Sequence, residues 1–359
     1  MPFHLEAARS RLVRWSGALA IGAAAGYACS LLRTPIPWML GPLLAIAIVR
    51  VAGLDIAAPP AARQIGQWII GTSLGLYFTP QVIGEVGGLW HLLAAGAVFA
   101  IVVGYVSGIA LARMAGVDRT TGVFASVPGG AAEMATLGER FGARVDRVAA
   151  AQSLRILIVV AVVPAAYALL GIHGSDRYLP STRTFDLQGF VWLMAVTGAA
   201  GLLFQFLHLP NGFVLGSLAV AIPLTALELD LSAIPFSVSN TGQYLLGCAL
   251  GSRFQPDFLR GAHRFVGAVV AAVILSMGLS ALFGVGMAYV TGLDPGTLIL
   301  GTAPGGIAEM SITANVLQLG VPLVTAFHVT RVVVLLLCTA PLFQRVRQWR
   351  RKLDGDDSS

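Results

Sequence analysis

The stretch SVPGGAAEM, Ser126 to Met134, returns late in the chain as TAPGGIAEM, Thr302 to Met310. Both copies set a Pro-Gly-Gly break inside apolar sequence and a carboxylate, Glu133 or Glu309, one turn beyond it. Proline cannot donate a backbone hydrogen bond and clashes with the preceding turn, and paired glycines admit unusual dihedrals and close backbone approach. What such a break does depends on the medium around it.

That medium is lipid. Of the 359 residues 56% are hydrophobic and only 11% charged, and the mean hydropathy is +0.80, which excludes a pair of soluble domains of this length. Apolar runs such as 89–114 and 265–290 exceed the roughly 20 residues that span a bilayer. The net charge of +6 comes from cations scattered between apolar runs, a pattern of cytoplasmic loops and not of a nucleic-acid surface. Cys29, Cys248 and Cys338 sit in apolar runs without metal-ligand spacing and read as small core residues. No cofactor or metal set is expected, and hence no enzyme. Basic residues precede the first span without a clear cleavage site, so that span is expected to be retained, and the polar end 354–359 to be frayed.

Shifted by about 176 positions, the chain matches itself. Gly66-Gln67 meets Gly242-Gln243, Gly71 meets Gly247, Gly75 meets Gly251, and Phe78 and Pro80 meet Phe254 and Pro256. Asp118 meets Asp294, Pro128-Gly129-Gly130 meets Pro304-Gly305-Gly306, Glu133 meets Glu309 and Arg155 meets Arg331. Pro35 and Gly41 meet Pro210 and Gly216 one residue out of step. Two homologous membrane repeats follow, 12–172 and 188–345, with a cytoplasmic tail at 346–359. Spans are predicted at about 15–32, 36–53, 64–83, 88–114 and 148–171, then at 188–207, 212–228, 239–255, 265–291 and 322–344.

Arginine placement decides whether the Pro-Gly-Gly segments cross the membrane as well. If they do not, Arg9, Arg11, Arg14, Arg50, Arg63, the Arg113–Arg147 group, Arg253, Arg260, Arg264 and the tail Arg345–Lys352 share one side with both termini. Glu85, Glu228, Asp230 and Asp294 share the other. That is the positive-inside bias, and it predicts ten spans with cytoplasmic termini. Five spans per repeat force the second to enter from the opposite face. The predicted fold is an all-α polytopic membrane protein of two inverted five-helix repeats, an architecture of secondary transporters.

Each Pro-Gly-Gly segment then reads as a re-entrant hairpin. Asp118 and Asp294 suit helix N-caps, and Pro295 the first helical position. Ten residues on either side of the break rise about 15 Å, half of the roughly 30 Å hydrocarbon core, so each apex is expected at the midplane. Unpaired backbone there must be buried in protein or line a wet cavity. The second limb aims the positive end of its dipole at the apex, where an anion is favoured. The competing reading, a plain kink in a cytoplasmic loop, is weakened by duplication of the whole pattern.

Arg155 and Arg331 lie deep in predicted spans, where charge is costly and points inward. Glu133 and Glu309 are their expected partners. Either the arginines bind an anionic solute while a glutamate exchanges protons, or Glu–Arg pairs merely anchor each hairpin. Gln67 and Gln243 suit a substrate contact or interhelical bonding equally. His328, whose counterpart is Gln152, is expected to make a polar interhelical contact in preference to relaying protons, and the other histidines form no ligand set. The candidate substrate-binding set is therefore Pro128, Gly129, Gly130, Glu133, Arg155 and Gln67, with Pro304, Gly305, Gly306, Glu309, Arg331 and Gln243.

The two PGG-A/I-AEM segments and the arginine downstream of each resemble the AbrB family of bacterial membrane proteins, built from a duplicated AbrB domain. The resemblance covers nearly the whole chain and implies a bacterial inner-membrane location. Its names associate the family with regulation of gene expression and, in older usage, with a monooxygenase. Neither is carried by these residues, which contain no DNA-reading module and no oxygen-activating metal cluster. The architecture is also similar to inverted-repeat citrate and glutamate symporters, although the loop motif beyond the glycine pair is not theirs. The leading expectation is a secondary transporter moving a small anionic solute by alternating access, with proton coupling through Glu133 or Glu309. A membrane-bound sensor that acts indirectly on gene expression is the alternative, and an intramembrane monooxygenase the least favoured. Expected partners are the solute and the lipid bilayer, not nucleic acid; oligomeric state is left open, a homodimer being common for such architectures.

Overall fold

The computed structural model describes residues 2–175, 180–181, 184–229, 231–254 and 263–353. Asp230, Pro256, Arg260 and 354–359, together with the side chains of Arg9 and Arg345–Lys352, lie outside the described residues. Fifteen α-helices and no strand occur among the described residues. They are α1 (Pro2–Leu31), α2 (Pro37–Val51), α3 (Pro60–Gly75), α4 (Pro80–Gly88), α5 (Trp90–Ala115), α6 (Arg119–Ser126), α7 (Ala131–Arg140), α8 (Val145–Leu169), α9 (Leu187–Phe206), α10 (Gly212–Ala226), α11 (Phe236–Gly251), α12 (His263–Thr291), α13 (Pro295–Thr302), α14 (Ile307–Val316) and α15 (Val321–Leu353).

Four of these, α5, α8, α9 and α12, are long and apolar enough to cross a membrane. Their outward faces carry bare apolar side chains, such as Trp192 and Leu202 on α9 and Val285 and Val290 on α12. Apolar exposure on this scale suits a chain solvated by lipid. Helices α2, α3, α10 and α11 hold only 15 or 16 residues and rise about 22–24 Å. The single span predicted at 64–83 is instead two helices. The chain turns after Gly75, and Thr79 caps a new helix by accepting from the Val82 N–H at 3.4 Å, with Pro80 at its first position.

The packing comes in matched pairs. Helix α1 packs on α2 as α9 does on α10; α2 on α11 as α10 on α3; α5 on α6 as α12 on α13; and α7 on α8 as α14 on α15. Two groups of helices result, α1–α3 with α9–α11, and α5–α8 with α12–α15, touching mainly through α3, α2 and α4. Within the first group the glycines of the short helices permit backbone contact. A Cβ on Gly71 would sit 2.8 Å from the Val214 carbonyl oxygen, and one on Gly247 only 2.5 Å from that of Met39. Left-handed backbone recurs at the same offset, in Arg33 and His208, Ile36 and Asn211, Gly53 and Glu228, Gly116 and Gly292, and Gly142 and Gln318.

Asp118 and Asp294 cap α6 and α13 as expected, accepting from Thr121 N and Thr297 N at 2.7 Å each. The same threonines reach the far end of each segment. Thr121 Oγ1 accepts from Arg144 N at 2.9 Å, and Thr297 Oγ1 from Gly320 N at 3.1 Å. The first turn of α6 thus lies beside the start of α8, and that of α13 beside the start of α15.

Candidate functional site

The spacing within each duplicated motif is explained by what its glycines touch. Gly130 and Gly306 are the N-caps of α7 and α14. The carboxylates of Glu133 and Glu309, three residues on, fold back so closely that a Cβ on either glycine would overlap them. A Cβ on Gly129 would meet the Met134 side chain at 2.7 Å, and one on Gly305 would overlap Met310. Proline ends the first limb, the first glycine clears methionine five residues on, and the second clears glutamate three residues on.

The break leaves carbonyls without helical partners, and the buried arginines take them. Arg155 donates from Nη1 to Val127 O at 3.1 Å and from Nη2 to Gly129 O at 3.2 Å. Arg331 repeats the clamp, from Nη1 to Ala303 O at 2.7 Å and from Nη2 to Gly305 O. Each arginine stands ten residues into its helix, about 15 Å along the axis. The expected Glu–Arg ion pairs are therefore corrected. Among the described residues no carboxylate lies within 4.0 Å of either guanidinium, because the stranded carbonyls already occupy the planar fork. The Nε atoms of both arginines are buried without an acceptor.

One step back along the helix, Gln152 donates to Phe124 O at 2.8 Å and Val127 O at 2.9 Å, and His328 Nε2 meets Leu300 O at 3.1 Å. Phe124 and Leu300 are equivalent in the two halves, so Gln152 and His328 do one job, receiving the last carbonyls of α6 and α13. The expected polar contact at His328 is what the structure contains.

The two breaks meet at one cavity of about 50 Å³, room for a few waters. It is lined by Pro128, Gly129, Gly130 and Arg155 from one half and by Gly305, Gly306, Glu309 and Arg331 from the other, with Gln67 from α3. Arg155 and Arg331 are 3% and 4% exposed and Glu309 8%. Glu309 acts electrostatically on both arginines, and they on each other. Three candidates lie outside the lining. Pro304 is buried behind the apex, Gln243 is buried within α11, and Glu133 sits half-buried against Gly130, its Oε2 without a partner.

Arg63, Asn211 and Arg253 also line the cavity and were absent from the sequence-derived set. Arg63 stands one turn before Gln67 on the same face of α3, a relation visible in the sequence. Both side chains donate to Asn211 Oδ1, at 3.1 and 3.4 Å. Asn211 reaches them from the left-handed cap of α10, and Arg253 follows the last turn of α11. Among the described residues four guanidinium groups thus face one lining carboxylate, beside the N-termini of two helices of ten residues, an arrangement suited to an anion. No group of three or more potential metal ligands occurs among the described residues.

A family model described as transition state regulatory protein AbrB matches residues 38–347. The Bacillus subtilis (strain 168) protein YhjN is 28% identical over 354 residues, covering 91% of each chain. An Escherichia coli (strain K12) protein, whose name designates it a candidate regulator, is 25% identical over 317 residues, covering 87% of this chain and 90% of its own.

Proposed function

The chain belongs to the AbrB family, and we propose that it is a secondary transporter of the bacterial inner membrane, carrying a small anionic solute unchanged by alternating access. The observation that carries this reading is the convergence of two arginine-clamped breaks, one from each half, on a single cationic cavity. In this reading the halves are inverted repeats of five spans, each with a re-entrant hairpin and both termini on the cytoplasmic side. The matched packing, the matched left-handed residues and the Thr121 and Thr297 ties support that geometry. A 50 Å³ cavity is far below the roughly 300 Å³ and more of ordinary ligand pockets, so the walls must part to admit a metabolite. The two helix groups, joined by few helices, are the natural units of that movement. Proton coupling runs through Glu133 or Glu309.

Uptake of labelled organic anions into proteoliposomes, with and without a pH gradient, tests the proposal. Wild-type uptake is expected, with loss in Arg331→Gln and loss of gradient dependence in Glu309→Gln. Undiminished uptake in both variants overturns these roles. Cysteines at 128 and 304 reactive from the same membrane face would remove the inverted geometry.

The name of the Escherichia coli relative favours a second reading, a membrane-bound sensor that holds the same anion without moving it. It predicts binding without flux and dependence on a partner protein.

A further inference from the structure

The cavity holds more positive charge than the duplicated motif requires. Arg155 and Arg331 are needed to clamp the two breaks, but Arg63 and Arg253 clamp nothing there. Their equivalents in the other half are Ser239 and Tyr77, so the repeat does not account for them either. Arg63 has a neutral partner, Asn211, and Arg253 is acted on electrostatically by Arg63 and, in the opposite sense, by Glu309 and Glu133. Among the described residues none of the four arginines has a carboxylate within 4.0 Å.

The four form two pairs. Arg155 and Arg331, almost wholly buried, leave two Nε donors without acceptors beside the α7 and α14 N-termini. Arg63, Arg253 and Asn211 line the same cavity from other elements, Arg63 at the end of α3 remote from Tyr77, Arg253 just past α11 and Asn211 at the cap of α10. Neighbouring guanidinium groups repel one another, and buried donors without acceptors are costly, so an anionic group entering the cavity would relieve both pairs. Glu309 is the one carboxylate among the described lining residues, so four guanidinium groups there face a single negative charge.

We infer that the cavity recognises a two-headed anion, a short dicarboxylate, with one carboxylate against Arg155, Arg331 and the helix N-termini and the other against Arg63, Arg253 and Asn211. The inference rests on the proposed function only in taking this cavity as the solute site. Arg63 and Arg253 set specificity for the second acidic group. They stand at helix ends and are only partly buried, so replacing them disturbs the fold less than replacing the clamping pair.

Equilibrium binding to the purified full-length protein tests this, using linear dicarboxylates from ethanedioate to hexanedioate, each beside the monocarboxylate of equal length, with inorganic sulfate as a compact dianion. At least one dicarboxylate is expected to bind about tenfold or more tighter than its monocarboxylate, the value of one charge-assisted contact pair. Sulfate, unable to reach both pairs, is expected to bind no better than the monocarboxylates. Arg63→Gln and Arg253→Gln should abolish the preference, weakening dicarboxylate binding about tenfold more than monocarboxylate binding, and the lysine variants should retain part of it. Equal binding of every matched pair, or sulfate outranking all dicarboxylates, overturns the inference even if neither variant folds. Uptake assays separate the two failures, since monocarboxylate flux without dicarboxylate preference removes the second anionic group and leaves transport standing.

Discussion

The Tyr77 hydroxyl donates a 2.8 Å hydrogen bond to Oδ1 of Asn315, joining the end of α3 to the last turn of α14. Tyr77 is the equivalent of Arg253 in the other half. One end of the interface between the helix groups is therefore latched, while the equivalent position at the other end carries a cation facing the cavity. Tyr77→Phe removes about 1 kcal/mol from the latched arrangement. In a background without native cysteines, a cysteine at Ala131 should then react faster with an impermeant maleimide added from the Tyr77 side and slower from the Arg63 side. Unchanged rates would show that the bond does not bias the interface.

The clamps make a prediction about stability. Arg331→Gln takes the arginine donors from the Ala303 and Gly305 carbonyls, and Arg155→Gln takes them from Gly129 O and from Val127 O, which keeps Gln152 as a donor. Arg331→Gln should cost about 3 kcal/mol and Arg155→Gln less, read as a fall in the unfolding midpoint of the detergent-solubilised protein. Arg331→Lys should not restore it, because an ammonium cannot reach both carbonyls in the plane that a guanidinium fits.

Gly130→Ala and Gly306→Ala should each destabilise, since the new methyl overlaps the carboxylate of Glu133 or Glu309. Pairing Gly130→Ala with Glu133→Ala removes the overlap. The double variant should recover stability beyond the additive expectation by about 1–3 kcal/mol in a mutant cycle. Additive losses would refute the fold-back of glutamate onto its cap.

Because Gln152 and His328 serve equivalent carbonyls, His328→Gln should be tolerated within about 1 kcal/mol, whereas His328→Ala strands the Leu300 carbonyl and costs more. Uptake by His328→Gln should keep the pH dependence of the wild type. Its loss would make His328 a proton carrier.

What the sequence disclosed was what repetition and hydropathy encode. The Asp118 and Asp294 caps, the depth of Arg155 and Arg331 and the family followed from residue order alone. The Glu–Arg pairing did not hold, because sequence shows which charges are buried but not which carbonyls a broken helix strands beside them. The third span failed because Pro80 can end one helix or begin another, and Thr79 chooses the second. Arg63 and Arg253 were hidden by their position. Near a helix end an arginine reads as a loop charge, and only the packing of α3 against α10 and α11 turns these two inward. Asn211 carried no signal beyond following a proline, since its left-handed backbone is set by the turn into α10.

The unequal equipment of the matched positions has a further consequence. Ile36 faces Asn211, Ser239 faces Arg63 and Tyr77 faces Arg253 across the pseudo-symmetry. In the transport cycle proposed above, identical halves would make the inward-open and outward-open forms equivalent by a two-fold rotation, and equal in energy. The cations at Arg63 and Arg253 and the neutral Tyr77–Asn315 bond break that equivalence. In that proposed cycle, the side on which the empty protein rests is set by these three residue pairs.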